Sequence, residues 1–403
     1  MNNTNSLKKN KTPLNASKDP IIKAEHIELR NRIRTFAEQE IAPRAAILDQ
    51  NESFSAEITR KIGKEGLFGI YIEEAYGGAG LDYLSLIIAV EELARVDGSQ
   101  AATVASHNSL GIGPIYNFGT QEQKERLLPL LTTGEHLWAF GMTEPNAGSD
   151  SRATEMQAEL QNEHWIINGR KSYISNSSSS LSLGTTMQVI SQQENGKKEY
   201  SAILVESNRP GFERNPISGK MMWRASDTGD LRLTNVKVPE KNLLGQRGKG
   251  SSILLQTLDS GRLTIAAMGL GLAQGAYEQA IKWANKRKQF GKTIGKFQAI
   301  AFKLADMATK IEHARNTLYR AVWLKDNQLA FSREAAMAKL FCSEIAQEVS
   351  NEAVQILGAR GLMKPHPVER FYRDQRVLQI GEGTSEILRL VISRQVGLYD
   401  KNN

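Results

Sequence analysis

The chain has little to cross-link it. Among its 403 residues there is one cysteine, Cys342, so neither a disulfide framework nor a cysteine-based metal site can form within it. That cysteine lies in Ala336-Met337-Ala338-Lys339-Leu340-Phe341-Cys342, a helical apolar pattern, and reads as a buried core thiol. The six histidines show no ligand spacing, which leaves a metal site unsupported. No apolar run is long enough for a membrane span. Proline is missing between Pro239 and Pro365, an interval that suits three or four long helices packed as a bundle. No strand followed by a glycine-rich fingerprint opens a helix, which disfavours a nicotinamide dehydrogenase. No internal repeat is visible, and Ser177 to Ser180 form a short polar loop.

What is present is ordinary for a globular protein: 40% hydrophobic and 24% charged residues, in a chain long enough for two or three packed units. The net charge is +7. Nucleic-acid binding is one reading of it, but the basic residues are spread along the chain without interleaved aromatics, and the expectation is no nucleic acid. A phosphate-rich small ligand or an acidic protein partner fits as well. Residues 1–18 are rich in Asn and Lys and read as a disordered tail, with a basic docking arm as the alternative. They form neither a secretory signal nor an Arg-rich transit peptide, so a cytoplasmic location is expected.

Residues 19–138 are helical in pattern. Leu29, Ile33, Phe36 and Ile41 fall on one face, Gly77-Gly78-Ala79-Gly80 makes a turn, and Tyr83 to Val96 resumes as helix. Residues 139–245 change character. Trp165-Ile166-Ile167-Asn168-Gly169 reads as a strand into a tight turn, and Tyr200 to Val205 as another strand. Leu231, Leu233, Val236 and Val238 nearly alternate, with one slip that a bulge could absorb. Residues 246–403 are helical again. The fold class is therefore α+β and mostly α: an N-terminal helical domain, a small β-barrel or sandwich domain, and a C-terminal four-helix bundle.

The most telling stretch is Ile380-Gly381-Glu382-Gly383-Thr384-Ser385-Glu386-Ile387, a single carboxylate between two glycines just before a helix. Glycines let backbone and ligand approach closely, and a carboxylate held there out of water is a natural base for a proton on carbon. Upstream lie Met142-Thr143-Glu144-Pro145-Asn146-Ala147-Gly148-Ser149-Asp150, Lys171-Ser172-Tyr173-Ile174-Ser175-Asn176 and Arg287-Lys288-Gln289-Phe290-Gly291. Further on come Gln355-Ile356-Leu357-Gly358-Ala359-Arg360-Gly361 and Val368-Glu369-Arg370-Phe371-Tyr372-Arg373-Asp374. Together, in this order and almost end to end, they resemble the acyl-CoA dehydrogenase family of FAD flavoproteins, with a short-chain or branched-chain style.

The resemblance implies the following roles. Glu382 is the catalytic base. Met142, Thr143, Ser149, Tyr173 and Ser175 lie against the flavin, with Tyr173 where relatives usually carry Trp. Arg287, Phe290, Gln298, Gln355 and Gly358 reach the FAD of a neighbouring subunit, which implies a homo-oligomer, expected to be a tetramer. Thr384 and Glu386 contact the adenosine or pyrophosphate part, Glu386 through its backbone or a helix end. Ser149, Asp259, Arg262 and Gly383 border the thioester. A helix-face salt bridge is the competing reading of Asp259 and Arg262. Gly261 stands where a minority of the family carries the base, so the base is Glu382 or absent. Gly381 replaces a common Tyr and implies a reshaped acyl pocket.

The implied reaction removes an α proton as H⁺ and a β hydrogen as hydride from an acyl-CoA. The product is a trans-2-enoyl-CoA, and the electrons pass to an electron-transfer flavoprotein. No side chain accepts hydride, and a flavin does. An acyl-carrier-protein dehydrogenase or an acyl-CoA oxidase on the same fold is the alternative. A non-enzymatic helical scaffold is the reading from another class, and would leave Glu382, Thr143 and Arg287 as coincidence.

Overall fold

The structure is a computed structural model that describes residues 21–194 and 197–398. The segment read as a tail lies outside the described residues. The N-terminal third is built from α1 (Ala24–Phe36), α2 (Ala42–Asn51), α3 (Ala56–Lys64), α4 (Tyr83–Ala94), α5 (Gly98–Ser106), α6 (Gly113–Phe118) and α7 (Gln121–Leu131). The apolar face read from the sequence is the buried one: Leu29, Ile33, Phe36 and Ile41 are all in the core. The Asp82 carboxylate accepts from Ser85 N and starts α4. Helix α4 is buried on every side, and its Glu91 and Glu92 are neutralised by Arg30, Arg34, Arg95 and Arg315. Helix α5 runs through a π-helical segment, His107–Ile112, into α6. From residue 98 to 115 everything is buried except Ser106 and Leu110, four apart and on one face.

The middle third holds β1 (Leu137–Gly141), β2 (Gln157–Gln161), β3 (His164–Ser175), β4 (Ser182–Glu194), β5 (Lys197–Glu206), β6 (Phe212–Pro216), β7 (Thr228–Pro239) and β8 (Leu243–Leu244). They form one sheet in the order β6-β7-β3-β2-β4-β5-β8, with β1 parallel to β4. No pairing between β6 and β8 closes it into a barrel among the described residues. The slip between Leu233 and Val236 is a bulge. Val236 faces Ile167, Leu233 faces Gly169, and Asn235 takes φ +52° in between. The tight turn expected at Gly169 is not there. Strand β3 runs on to Ser175, and Gly169 sits in the bulge at φ +144°, where a Cβ would press on Met156. A strand interior, not a chain reversal, needed the glycine.

The C-terminal part comprises α8 (Gly250–Lys286), the hairpin β9 (Lys288–Gln289) and β10 (Lys292–Thr293), α9 (Gln298–Asp326), α10 (Ser332–Leu357), α11 (Pro367–Asp374) and α12 (Ser385–Gln395). The proline-free interval is three long helices, α8 to α10, with α12 as a short fourth on α10. Helix α8 packs against α4, α5, α9 and α10, so the N- and C-terminal helices share one core. Strands of the sheet have a separate core of their own around Trp165, Met187 and Val205. A junction between the parts is made by Asp374, whose Oδ1 accepts from Trp223 N at 2.8 Å. Among the described residues, no helix is long and apolar enough to cross a membrane.

Candidate active site

Glu382 occupies the lead-in to α12. Thr384 caps that helix by accepting from Ile387 N at 3.2 Å, and the two residues before it turn the chain left-handed: Gly383 at φ +100° and Glu382 at φ +54°. A non-glycine residue there costs about 1 kcal/mol and persists only where its surroundings hold it. The residue as a whole is half-buried. Its Oε2 is fully buried and has no hydrogen-bond partner among the described residues. That oxygen lies over Gly261 of α8, where a Cβ would overlap it, beside Leu110. Gly261 is thus the floor under the carboxylate.

Burial pushes the Glu382 carboxyl up to about 7, against the opposing pull of Lys339 and Arg262. The Tyr83 hydroxyl, which donates to Ser260 O, is held well above its usual value by burial, by Tyr71 and by Glu382. A buried carboxylate oxygen with no partner of its own is ready to take a substrate proton near neutral pH. Asp259 and Arg262 do form the helix-face ion pair, while the buried Arg262 Nε has no hydrogen-bond partner among the described residues.

Lys339, not singled out from the sequence, is wholly buried and donates to Gly383 O at 2.6 Å. Burial pushes its ammonium down to about 8, against Glu382. The available signal was its place in the helical run, where Ala335 and Cys342, one turn before and after it, are both core positions.

The expected flavin loop is held from within. Lys171 is fully buried, its Nζ 2.6 Å from Glu144 Oε1 and 3.3 Å from Met142 O. Glu144 also accepts from Glu155 N and Met156 N. Ser172 N donates to Thr143 O at 2.9 Å. Met142 and Thr143 therefore lie beside the end of β3, which carries Tyr173 and Ser175. Tyr173 is 71% exposed at φ +62°, which rules out a ring packed in the core. Asn176 Nδ2 donates to Thr103 O and ties this end of the strand to α5. The hydroxyls of Thr143, Ser149 and Ser175 have no hydrogen-bond partner among the described residues. Uncommitted hydroxyls and an exposed aromatic ring on these two segments fit a planar ring edged with heteroatoms, as in an isoalloxazine.

The remaining predicted residues are elsewhere. Arg287 follows the end of α8, Gln298 begins α9, and Gln355 and Gly358 end α10. Because α8 to α10 alternate in direction, all these ends meet at one end of the bundle. Phe290, at the tip of the β9–β10 hairpin, is 91% exposed at φ +50°. Arg287 and Arg360 both stack on Trp283, 5.9 and 5.2 Å from the ring centroid. At 1.5 Å per helical residue, Arg287 lies about 39 Å along α8 from Gly261. One chain cannot close this group onto its own Glu382. Glu386, in the first turn of α12, is exposed. Elsewhere Glu25, His26 and Asp82 lie close together, but both His26 nitrogens are engaged, one by Lys23 N and one by Asp82.

Family models cover the chain in three consecutive blocks. They are the acyl-CoA dehydrogenase N-terminal domain over residues 23–135, the middle domain over 139–236 and the C-terminal domain over 248–397. A probable acyl-CoA dehydrogenase, YngJ, of Bacillus subtilis (strain 168) is 45% identical over 368 residues, spanning 91% of this chain and 97% of that one. Butyryl-CoA dehydrogenase from Megasphaera elsdenii superposes with a TM-score of 0.90 at 38% identity, over 93% of this chain and 98% of that one. An acyl-CoA dehydrogenase complexed with FAD from Bacillus anthracis does so with a TM-score of 0.87 at 34% identity, over 93% of this chain and 67% of that one. With its three domains matched in order along the whole described chain, the protein belongs to the acyl-CoA dehydrogenase family and is an oxidoreductase.

Proposed function

We propose that this chain oxidises a short-chain acyl-CoA to the trans-2-enoyl-CoA, with Glu382 taking the α proton. The single observation behind the assignment is the buried, unpartnered Glu382 Oε2, lying over a glycine and held near neutrality by burial. FAD is the cofactor, and when bound it supplies the acceptor for the β hydride that no side chain offers. Two hydrogens leave the thioester, one as a proton to Glu382 and one as hydride.

Thr143, Ser149, Tyr173 and Ser175 orient the ring, and the Lys171–Glu144 pair keeps their loop in place. The backbone N–H of Glu382 donates to the thioester oxygen as negative charge develops there. Gly381 leaves room beside the acyl group: a Cβ there would meet only Val377, at 3.6 Å or more. Arg287, Phe290, Gln298, Gln355 and Gly358 serve the FAD of a second copy, so the working enzyme is a homo-oligomer, and a tetramer fits the family pattern. The Arg fork matches a pyrophosphate. A short acyl chain is favoured by the likeness to butyryl-CoA dehydrogenase. Electrons then leave to an electron-transfer flavoprotein, in a cytoplasmic fatty-acid β-oxidation step.

The test is an anaerobic titration of the purified yellow protein with butyryl-, isovaleryl-, octanoyl- and palmitoyl-CoA. Bleaching by butyryl- or isovaleryl-CoA at low excess supports the reading. Bleaching only by a carrier-protein-linked acyl group overturns the coenzyme A assignment. A colourless protein that cannot be reconstituted with FAD overturns the reaction.

A further inference from the structure

One side of α10 faces the segment that carries Glu382, and four of its polar residues grip that segment. Lys339 Nζ donates to Gly383 O at 2.6 Å, and Ser343 Oγ to Leu378 O at 3.0 Å. Glu344 accepts from Ser385 Oγ at 2.7 Å and Gln379 Nε2 at 3.2 Å, and Gln347 accepts from Gln379 Nε2 at 2.5 Å. Three of these four tie down the flanks of the loop. Lys339 alone reaches the peptide next to the carboxylate, and it is the only charged group of the four that is fully buried.

A buried ammonium is costly unless its charge is used. Gly383 O is the only hydrogen-bond acceptor it has among the described residues, and no carboxylate lies within ion-pair distance. Around Glu382 the charged and titratable groups are Lys339 from α10, Arg262 from α8 and Tyr83 from α4. Lys339 itself feels Glu382, Arg262, Glu344 and Glu386.

We propose that Lys339 is a positioning residue for the Glu382 base: it fixes the left-handed Glu382–Gly383 turn through the Gly383 carbonyl, and its charge favours the ionised carboxylate. This rests on the reading of Glu382 as the base. This role does not require the lysine to touch substrate or cofactor. It acts through the loop's backbone, and through the field at the carboxylate.

The two effects separate in two variants. Lys339→Met removes donor and charge, and Lys339→Gln keeps a neutral donor on the same face, one bond shorter than the lysine, that can meet Gly383 O after a small shift of the loop. Both remove a cation whose field the carboxylate feels, so both raise its titration midpoint. Only Lys339→Met also frees the turn, and its rate of anaerobic flavin reduction drops further than that of Lys339→Gln even at a pH above both midpoints. The midpoint is read in the FAD-loaded protein from the ¹³C carboxyl resonance lost in Glu382→Gln. It is read independently from the pH profile of reduction by butyryl-CoA.

A lysine that merely fills the core would lower yield or melting temperature without moving the midpoint. Midpoints equal to wild type in both variants overturn the inference, and if Lys339→Met does not fold, Lys339→Gln alone decides. Glu382→Gln in the same series keeps the two failures apart. If it still reduces flavin, the base assignment fails; if it is inactive while the Lys339 variants titrate as wild type, only the inference fails.

Discussion

Replacing Lys171 by methionine breaks the one wholly buried ion pair under the expected flavin loop. The pair is short, 2.6 Å, and both partners are at most 2% exposed at their side chains. Methionine fills most of the space of the lysine stem but leaves Glu144 buried with only the Glu155 and Met156 N–H groups to offset its charge. Breaking a buried pair from one side costs about 3–5 kcal/mol, mostly the penalty of the abandoned charge. The lost contact to Met142 O also frees the loop that carries Thr143 and Ser149. Lys171→Met is therefore expected to lower the urea midpoint and to shed FAD at concentrations where wild type holds it. Adding Glu144→Gln keeps an acceptor for the two N–H groups and removes the stranded charge, so the double variant recovers at least about 2 kcal/mol of the loss. The assay is urea denaturation at fixed protein and FAD concentrations, followed by tryptophan and flavin fluorescence. Strictly additive effects of the two substitutions would refute the reasoning.

Two further outcomes follow from the geometry. The Glu382 carboxyl is held protonated in the folded chain from its ordinary value of about 4.5 up to about 7, so its contribution to stability is full below 4.5 and is lost as pH rises through 7. Glu382→Gln removes that loss. The variant should match wild type at pH 4.5 and exceed it by about 2–3 kcal/mol at pH 8, a range that allows for partial solvent access. Asp374, also pushed up to about 7 by burial, is common to both proteins and cancels in the difference. Phe290→Asp puts a charge on an exposed hairpin tip and should leave the isolated fold intact, because the ring touches little of its own chain beyond Phe297. Light scattering should report a smaller assembly and the flavin spectrum a loss of FAD; an unchanged assembly with full FAD would place Phe290 outside the interface.

The readable part of this chain was local. The missing prolines gave three long helices, the face of Leu29, Ile33 and Phe36 gave the buried side of α1, and the slip at Leu233–Val236 gave a bulge. Glu382 was visible because two glycines flank a lone acid. What escaped depends on partners far away in sequence. Gly169 looked like a turn because nothing local tells that Met156 presses on a strand bulge there. Lys339 looks like any lysine in a helix until Gly383, 44 residues on, is brought against it. The Lys171–Glu144 pair is hidden for the same reason, each partner being an unremarkable charge until both are buried together. Gly261 was read as the lack of an alternative base; its second role, as the space in which Glu382 Oε2 lies, needs the packing of α8 against the loop. The sheet's open order and the core shared by the first and last thirds are also properties of long-range contacts.

The central claim is that Glu382 removes the α proton. It is tested most directly by stopped-flow, anaerobic mixing of the FAD-loaded protein with butyryl-CoA, wild type against Glu382→Gln. The account predicts that wild type loses its flavin absorbance in one fast phase. The amide variant, isosteric but unable to accept the proton, should bind the thioester yet reduce at least about 10³-fold more slowly. Reduction of the variant within a few-fold of the wild-type rate would contradict the claim.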